Sequence, residues 1–384
     1  MAALGVNRDY LKKKNRGLVL KLISTKRCSS RIELSRETGL TKTAISAIVN
    51  ELIEKKYLAE AEREVTGDLG RNPVGLVVAP ESPRYAGILI QRGYIEAVLC
   101  DMNLKIYKYE RVEQDWKDKD GLMNSIYRSL DHMLENENRI IGIGVSSIGP
   151  IDIKAGKIVD PGYFDGIQDV EITVPLSERY KLPICFDHDN QSAALVEQLY
   201  GNGKDYQDLL MIGIGKGVGC GIIMGGQRYQ SNSGYSPEIG HVSIDHHGKK
   251  CRCGNTGCLE MYIGSHYVSQ KVYEKTGKRI EYSEFCKKED DPVIREIMEE
   301  LIDNLAAAVI SLLNMFHFEA ILLGMDSVYW PDTYVEMLED QINEKKFSNK
   351  NDRTVAKKVS FLEKTQVLGA VCNAINCTFE GELL

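Results

Sequence analysis

Between Glu238 and Glu260 the chain reads EIGHVSIDHHGKKCRCGNTGCLE, which gathers two acids, a histidine and three cysteines into a short Gly-rich segment. His241 is followed by Cys251, Cys253 and Cys258. One imidazole and three thiolates make the closed tetrahedral donor set of a structural Zn2+ ion. Such an ion orders a segment whose few apolar residues cannot order it. Glu238 and Glu260 flank the set as acceptors for a polar ligand. The stretch is therefore expected to form a zinc-braced wall of a small-ligand pocket. His246 and His247 fall off the ligand spacing and are expected at the surface.

Two other stretches carry chemistry. DHDNQSAALVEQLYG starts a helix after the strand-like LPICF, so Asp187, His188 and Asp189 fall at a strand-to-helix junction. Ligands are often met at such junctions, although a plain helix cap accounts for the same residues. LLMIGIGKGVGCGIIMGG alternates Gly215, Gly217, Gly219 and Gly221 between two strands. Those glycines let a backbone approach a phosphate or a sugar, or simply form a tight hairpin.

The elements that position these residues need more than one core, because 384 residues exceed what one ordinary core serves. A hydrophobic content of 43% with 27% charged residues describes a folded globular chain rather than a disordered one. No apolar run reaches spanning length and no signal peptide opens the sequence, so no membrane role is expected. Cysteines scattered outside the trio fit a reducing cytoplasm, where a cluster binds metal more often than it forms disulfides. The net charge of −7 is uneven: residues 1–60 carry thirteen Lys and Arg against six Asp and Glu, leaving −14 for the rest. A basic head on an acidic body points to a polyanion partner for the head alone.

That head is periodic. NRGLVLKLIST sets Leu18, Val19, Leu22 and Ile23 on one helical face. Ser30 caps a short helix with Glu33 completing a capping box, Gly39 ends it, and Thr41 caps a third helix. The third helix turns Ile45, Ile48, Val49, Leu52 and Ile53 inward. Two strands, 57–61 and 74–78, flank the wing TGDLGRNP, which makes a winged helix-turn-helix. In that geometry the third helix enters the major groove, with Thr41, Lys42, Thr43, Ser46 and Asn50 as candidates for bases and phosphates. Arg71 on the wing is the candidate for a minor groove.

Past a plausible hinge at ESPRY, runs of Val, Ile and Gly read as buried strands of an α/β sheet: AGILI and YIEAVLCD as a hairpin, then RIIGIGVSSIG. AILLGMD, VSFLE and TQVLGAVCNAINCTF close the chain as strand, strand and helix.

Together, the head segments with GRNPVGL, and GIGVSSIGPID, HDNQSAALVEQLYG, GKGVGCG, EIGHVSID and CRCGNTGCLE, resemble the ROK family of sugar-responsive repressors and sugar kinases, in particular its NagC/XylR-like repressor branch. The resemblance implies a two-lobed, actin-like sugar-kinase body with the ligand between the lobes. It places a DNA-binding domain at 1–80, a first lobe at 81–186 plus 362–384, and a second lobe at 187–361. It also implies sugar contacts from His188, Asp189, Glu238, His241 and Glu260, with Asp189 at the position of the kinase base. His188 stands where the kinases usually carry Asn, and Ile148 where the family usually carries Pro.

Kinases of the family open their first lobe with a D-x-G-G-T loop on the ATP phosphates. Here that segment is Leu89-Ile90-Gln91-Arg92-Gly93, a phosphate-loop threonine is Lys216, and a Gly-Gly pair near the adenosine is Gly324-Met325. Phosphoryl transfer rests on positioning and charge neutralisation, the parts altered here. The expected function is a sugar-responsive repressor without enzymatic activity. It would act as a homodimer, or a tetramer, on a palindromic operator, with a monosaccharide as inducer. The alternative is an active ATP-dependent sugar kinase with an accessory DNA-binding head.

Overall fold

The computed structural model describes residues 7–61, 75–162, 164, 166–231, 234–347 and 352–384. The chain packs as two units, one made of Met1–Ile148, Ala155–Asp187 and Ala370–Leu384, the other of Gly149–Lys154 and His188–Gly369. Among the described residues no helix is long and apolar enough to cross a membrane.

The first unit opens with helices α1 (Arg8–Ser24), α2 (Arg31–Thr38) and α3 (Lys42–Glu54). The Ser30 and Thr41 hydroxyls accept from the N–H groups of Glu33 and Ala44, which starts α2 and α3. Gly39 ends α2 at φ 69°, a left-handed conformation that strains any residue with a Cβ. The Glu33 carboxylate returns to Ser29 rather than Ser30, accepting from both its N–H and its hydroxyl, so the capping box is displaced by one residue. Val19, Leu20, Ile23, Ile45, Val49 and Leu52 fill the head core. Leu18, expected inside, is exposed, and Leu20 is buried in its stead. At about 100° per residue the buried arc centres near Ile23 and leaves Leu18 roughly 140° away. Strands β1 (Leu58–Ala61) and β2 (Gly75–Val78) pair antiparallel. The wing between them, with Arg71, lies outside the described residues.

The head is seated firmly within its unit. A Cβ on Gly17 would lie 2.1 Å from the Phe379 carbonyl oxygen at the end of α12 (Thr365–Phe379), and Lys14 pairs with Glu380. Arg139 donates to the carbonyl oxygens of Lys55, Lys56 and Glu81. Ser82 and Pro83 are buried, so the ESPRY stretch is packed rather than a free hinge. These contacts group the head with the first lobe, where the sequence placed a separate domain at 1–80. Gly149–Lys154 and the start of α12 also fall in the second unit instead of the first. For α12 the reason is steric: a Cβ on Gly369 would meet the Ser192 backbone at 2.6 Å.

The first unit continues with the meander β3 (Arg84–Gln91), β4 (Tyr94–Cys100) and β5 (Ile106–Glu113), then α4 (Lys119–Leu134) and β6 (Ile140–Ser147), which runs parallel to β3. After β7 (Ile151–Asp152), which belongs to the second unit, β8 (Lys157–Ile158), β9 (Val170–Glu171) and helix α5 (Thr173–Tyr180) lead to β10 (Ile184–His188). The sheet order is β10-β6-β3-β4-β5. α12 crosses this sheet in backbone contact, because a Cβ on Gly144 would lie 1.8 Å from Ala370 O.

The second unit repeats that connectivity. After α6 (Asp189–Tyr200) come β11 (Leu209–Ile214), β12 (Val218–Met224) and β13 (Gln227–Arg228) as a meander. Helices α7 (Glu260–Ile263), α8 (Ser265–Thr276), α9 (Tyr282–Phe285) and α10 (Pro292–Leu313) precede β14 (Ala320–Met325), which runs parallel to β11. α11 (Asp332–Lys345) and β15 (Val355–Lys358) complete the order β13-β12-β11-β14-β15. The last strand is thus VAKK, just before the VSFLE expected from sequence. Its long core joins Ile212, Leu301, Leu305, Leu323 and Leu338 from β11, α10, β14 and α11.

Alanine is ordinarily about 1 kcal/mol better than glycine inside a helix. At Gly17 the sign is expected to reverse: Gly17→Ala should cost about 1–3 kcal/mol through the clash with Phe379, read as a lower midpoint in urea or thermal unfolding.

Candidate functional site

α6 begins where β10 ends, and its first residues are nearly all buried. His188 caps it: the Asn190 N–H donates to His188 Nδ1 at 3.3 Å and to Asp189 Oδ1 at 2.6 Å. The two side chains meet each other, with His188 Nδ1 3.1 Å from Asp189 Oδ1. Both are below 5% exposed, so the cap is buried rather than superficial. The Gln191 amide holds α6 to β12 twice, donating to Ile222 O at 2.9 Å and accepting from Ile222 N–H at 3.0 Å.

The alternating glycines of β11 and β12 serve this helix. Gly213 and Gly219 stand opposite each other in the ladder. A Cβ on Gly213 would sit 2.0 Å from Asn190 Oδ1, one on Gly219 2.7 Å from Asn190 Nδ2, and one on Gly221 2.1 Å from the Asn190 carbonyl oxygen. Asn190 Oδ1 is buried without a hydrogen-bond partner, in a place where such a group is costly. Sequence reasoning missed Asn190. Its signal was the glycine register of the hairpin, which leaves a hollow on one face.

Gly215 faces β14 instead. A Cβ there would lie 3.1 Å from the Met325 methyl, and the Met325 sulfur lies 2.9 Å from the corresponding position on Gly213. Met325 holds φ 58° and ψ −131°, a region that strains a side-chain-bearing residue by about 1–3 kcal/mol. Next to it, burial raises the Asp326 carboxyl above its ordinary pKa, against a Ser265 hydrogen bond and the charge of Lys216.

The segment after β13 brings the acids and the metal donors together. Glu238 precedes a 3-10 turn at Ile239–His241. The turn rests on β12, since a Cβ on Gly240 would lie 2.2 Å from Val218 O. Glu260 is fixed from the other side of Val218, accepting its N–H at 3.0 Å. Glu238 is open to solvent, yet desolvation by surrounding protein raises its carboxyl pKa. The charges of His188 and His241 act against that rise, and Asp189 and Glu260 add to it. Gly149, unremarked in the sequence, closes the group: a Cβ there would lie 2.7 Å from His188 Nε2 and 3.4 Å from Glu238 Oε1. Thus His188, Asp189, Glu238, His241 and Glu260 converge within the second unit.

The ligand atoms of His241, Cys251, Cys253 and Cys258 lie within 4.8 Å of one another, a set that could hold a metal ion. His241 turns Nδ1 toward Cys251 Sγ at 3.7 Å, and Cys253 and Cys258 sulfurs are 3.6 Å apart. Gly254 (φ 93°) and Gly257 (φ 73°) shape the loop that carries them. Burial, then bonds to Cys253 and Cys251, push Cys258 up to about 12. Against burial, a backbone bond from Asn255 and bonds to Cys251 and Cys258 pull Cys253 below its ordinary value. His246 and His247 are exposed.

On the head, Thr41, Lys42 and Thr43 are exposed and Ser46 is half-exposed at the start of α3. Ala47, not singled out from sequence, is exposed on the same face. Asn50 is exposed but tied back, its Oδ1 accepting from Arg31 Nη2 at 3.1 Å while Arg31 also pairs with Glu60 at 2.8 Å.

The ROK family model matches residues 85–376. The chain belongs to the ROK family. It is 28% identical to the xylose repressor of Bacillus subtilis over 83% of each protein. It is 26% identical to the DNA-binding transcriptional repressor Mlc of Escherichia coli, over 98% of this chain and 96% of that one. A solved ROK family transcriptional regulator, described as a homolog of E. coli MLC, superposes with a TM-score of 0.83 at 24% identity and covers 98% of both chains. The match to that regulator includes the head as well as the kinase-like body.

Gly213→Ala is expected to destabilise the chain by about 1–3 kcal/mol, and Asn190→Ala in the same protein should recover a large part of that loss. Gly221→Ala meets the Asn190 backbone, so the same second change should not rescue it. Urea unfolding of the single and double variants checks both statements.

Proposed function

We propose that this chain is a DNA-binding transcriptional repressor whose kinase-like body senses a monosaccharide. The observation that carries the reading is Met325. Its strained backbone and its thioether cover Gly213 and Gly215, at the Gly324-Met325 step where the resemblance places a Gly-Gly pair near the adenosine. The sequence changes at Lys216 and, separately, over Leu89–Gly93 support the same reading. The polar group of His188, Asp189, Glu238, His241 and Glu260 is retained. Carboxylates accept from paired sugar hydroxyls, and a His241 whose Nδ1 faces the thiols keeps Nε2 for a ligand. Each hydrogen bond of a charged group to a hydroxyl contributes roughly 1.5–3 kcal/mol, enough for several together to choose between sugars.

The metal in this reading is structural zinc on His241, Cys251, Cys253 and Cys258. Thr41, Lys42, Thr43 and Ser46 meet bases and phosphates in a major groove, joined by Asn50 once Arg31 releases it and by Arg71 from the wing. Two heads of a homodimer, or four of a tetramer, read a palindromic operator in the cytoplasm. The sugar acts as inducer by binding the DNA-incompetent state more tightly, because only differential affinity moves such an equilibrium.

In a titration of fluorescent operator against a panel of monosaccharides, at least one sugar should weaken operator binding about tenfold or more, a shift of about 1.4 kcal/mol. Asp189→Asn should abolish that response while leaving sugar-free operator affinity unchanged. No response across the panel, or ATP-dependent phosphorylation of a sugar that Asp189→Asn removes, would falsify the sensor reading.

Freshly purified protein is expected to carry about one zinc per chain by elemental analysis. Cys258→Ser should lose the zinc and the sugar response together, because His241 serves both. Metal-free wild-type protein with a normal sugar response would rule the assignment out.

A further inference from the structure

Of the ten cysteines, three form the metal set and Cys28, Cys100, Cys220, Cys286 and Cys372 are buried. Cys185 and Cys377 remain, both half-buried, and their sulfur atoms lie 2.6 Å apart although 192 residues separate them in sequence. Cys185 is on β10, an edge strand of the first sheet, and Cys377 is in the last turn of α12. We propose that Cys185 and Cys377 are a reversible oxidation site that closes as an intrachain disulfide.

The surroundings hold Cys377 in place before any bond forms. Thr378, the residue after Cys377, exchanges a 2.8 Å hydroxyl bond with buried Tyr85 on β3. The Glu382 N–H donates to the Cys377 carbonyl at 2.9 Å, and Leu383 packs where a Cβ on Gly142 of β6 would stand, 3.0 Å away. A disulfide is about 2.05 Å long, so the 2.6 Å between these sulfurs leaves them close to bonding distance. The hydrogen bond to Cys185, and then burial, hold the Cys377 thiol well above its ordinary pKa. Either sulfur can attack and the other resolve; with Cys185 attacking, the reaction runs in two steps.

Hydrogen peroxide, small enough to reach a half-buried thiol, is the oxidant. The Cys185 sulfur attacks one peroxide oxygen, the O–O bond breaks, and Cys185 sulfenic acid forms with release of one water. The Cys377 sulfur then displaces the sulfenic oxygen, which leaves with the Cys377 proton as a second water. Two thiols have lost two electrons and two protons to one peroxide. The new bond ties β10, three residues before His188, to the turn that ends in the Phe379 seat of α1.

The test is peptide mapping of the full-length reduced protein after peroxide treatment, with alkylation and digestion but no reductant. The expected product is a linked pair of Cys185 and Cys377 peptides, two hydrogens lighter than the separate peptides and released by dithiothreitol. In Cys377→Ser, Cys185 should instead be trapped as sulfenic acid by dimedone. Should that variant fail to fold, the wild-type map alone decides. The proposal is overturned if both thiols stay alkylatable, if Cys185 pairs with another cysteine or a second chain, or if it proceeds to sulfinic acid without pairing.

Discussion

Strand β12 is the reference from which the polar group of the second unit is measured. Its peptide groups at Ile222 bind the Gln191 amide in both directions and so fix the start of α6. Four residues earlier, the Val218 N–H binds Glu260, and the Val218 carbonyl is the surface on which Gly240 rests. His188, Asp189, Glu238, His241 and Glu260 come from three separate segments, yet each segment is set against this strand, two by hydrogen bonds and one by close backbone approach. Backbone groups make a better ruler than side chains because they have no rotamers to choose among. The glycines at 219 and 221 are the condition for this arrangement, since any side chain there would push α6 away.

Compensation runs through the same region. A buried Asn190 oxygen lacks a partner and Met325 adopts a backbone region suited to glycine, two local violations within a well-packed core. Sequences that violate local rules do so where something other than stability has been selected. Here both meet Gly213, and the Asn190 side-chain amide also donates to the Asp189 carboxylate at 3.0 Å.

How far the sequence could be read depended on how local each interaction is. The metal donors lie within eighteen residues of one another, so spacing alone assembled them. The caps at Ser30 and Thr41 and the turn at Gly39 are decided within a few positions and were equally readable. Leu18 was misplaced because it sits next to Val19 in an apolar run, while the arc that α1 buries is the one carrying Val19, Leu20 and Ile23. Asn50 looked free because its tie to Arg31 requires α2, α3 and β1 to be assembled first. The ESPRY segment looked like a hinge, while Ser82 and Pro83 are buried and Arg139, far along the chain, holds the Glu81 carbonyl. Asn190 was hidden for the same reason: the hollow that receives it is formed by glycines more than twenty residues away.

The seat of α1 has a consequence for how the protein is made. Lys14 and its partner Glu380 are 366 residues apart, and Gly17 rests on a carbonyl at the end of α12. Chains emerge from the ribosome N-terminus first, and early segments fold before later ones exist. The head can therefore form its own three-helix core early and meet Arg139 next, through the carbonyls of Lys55 and Lys56. The seat of α1 is completed last, because Phe379 and Glu380 are among the final residues made.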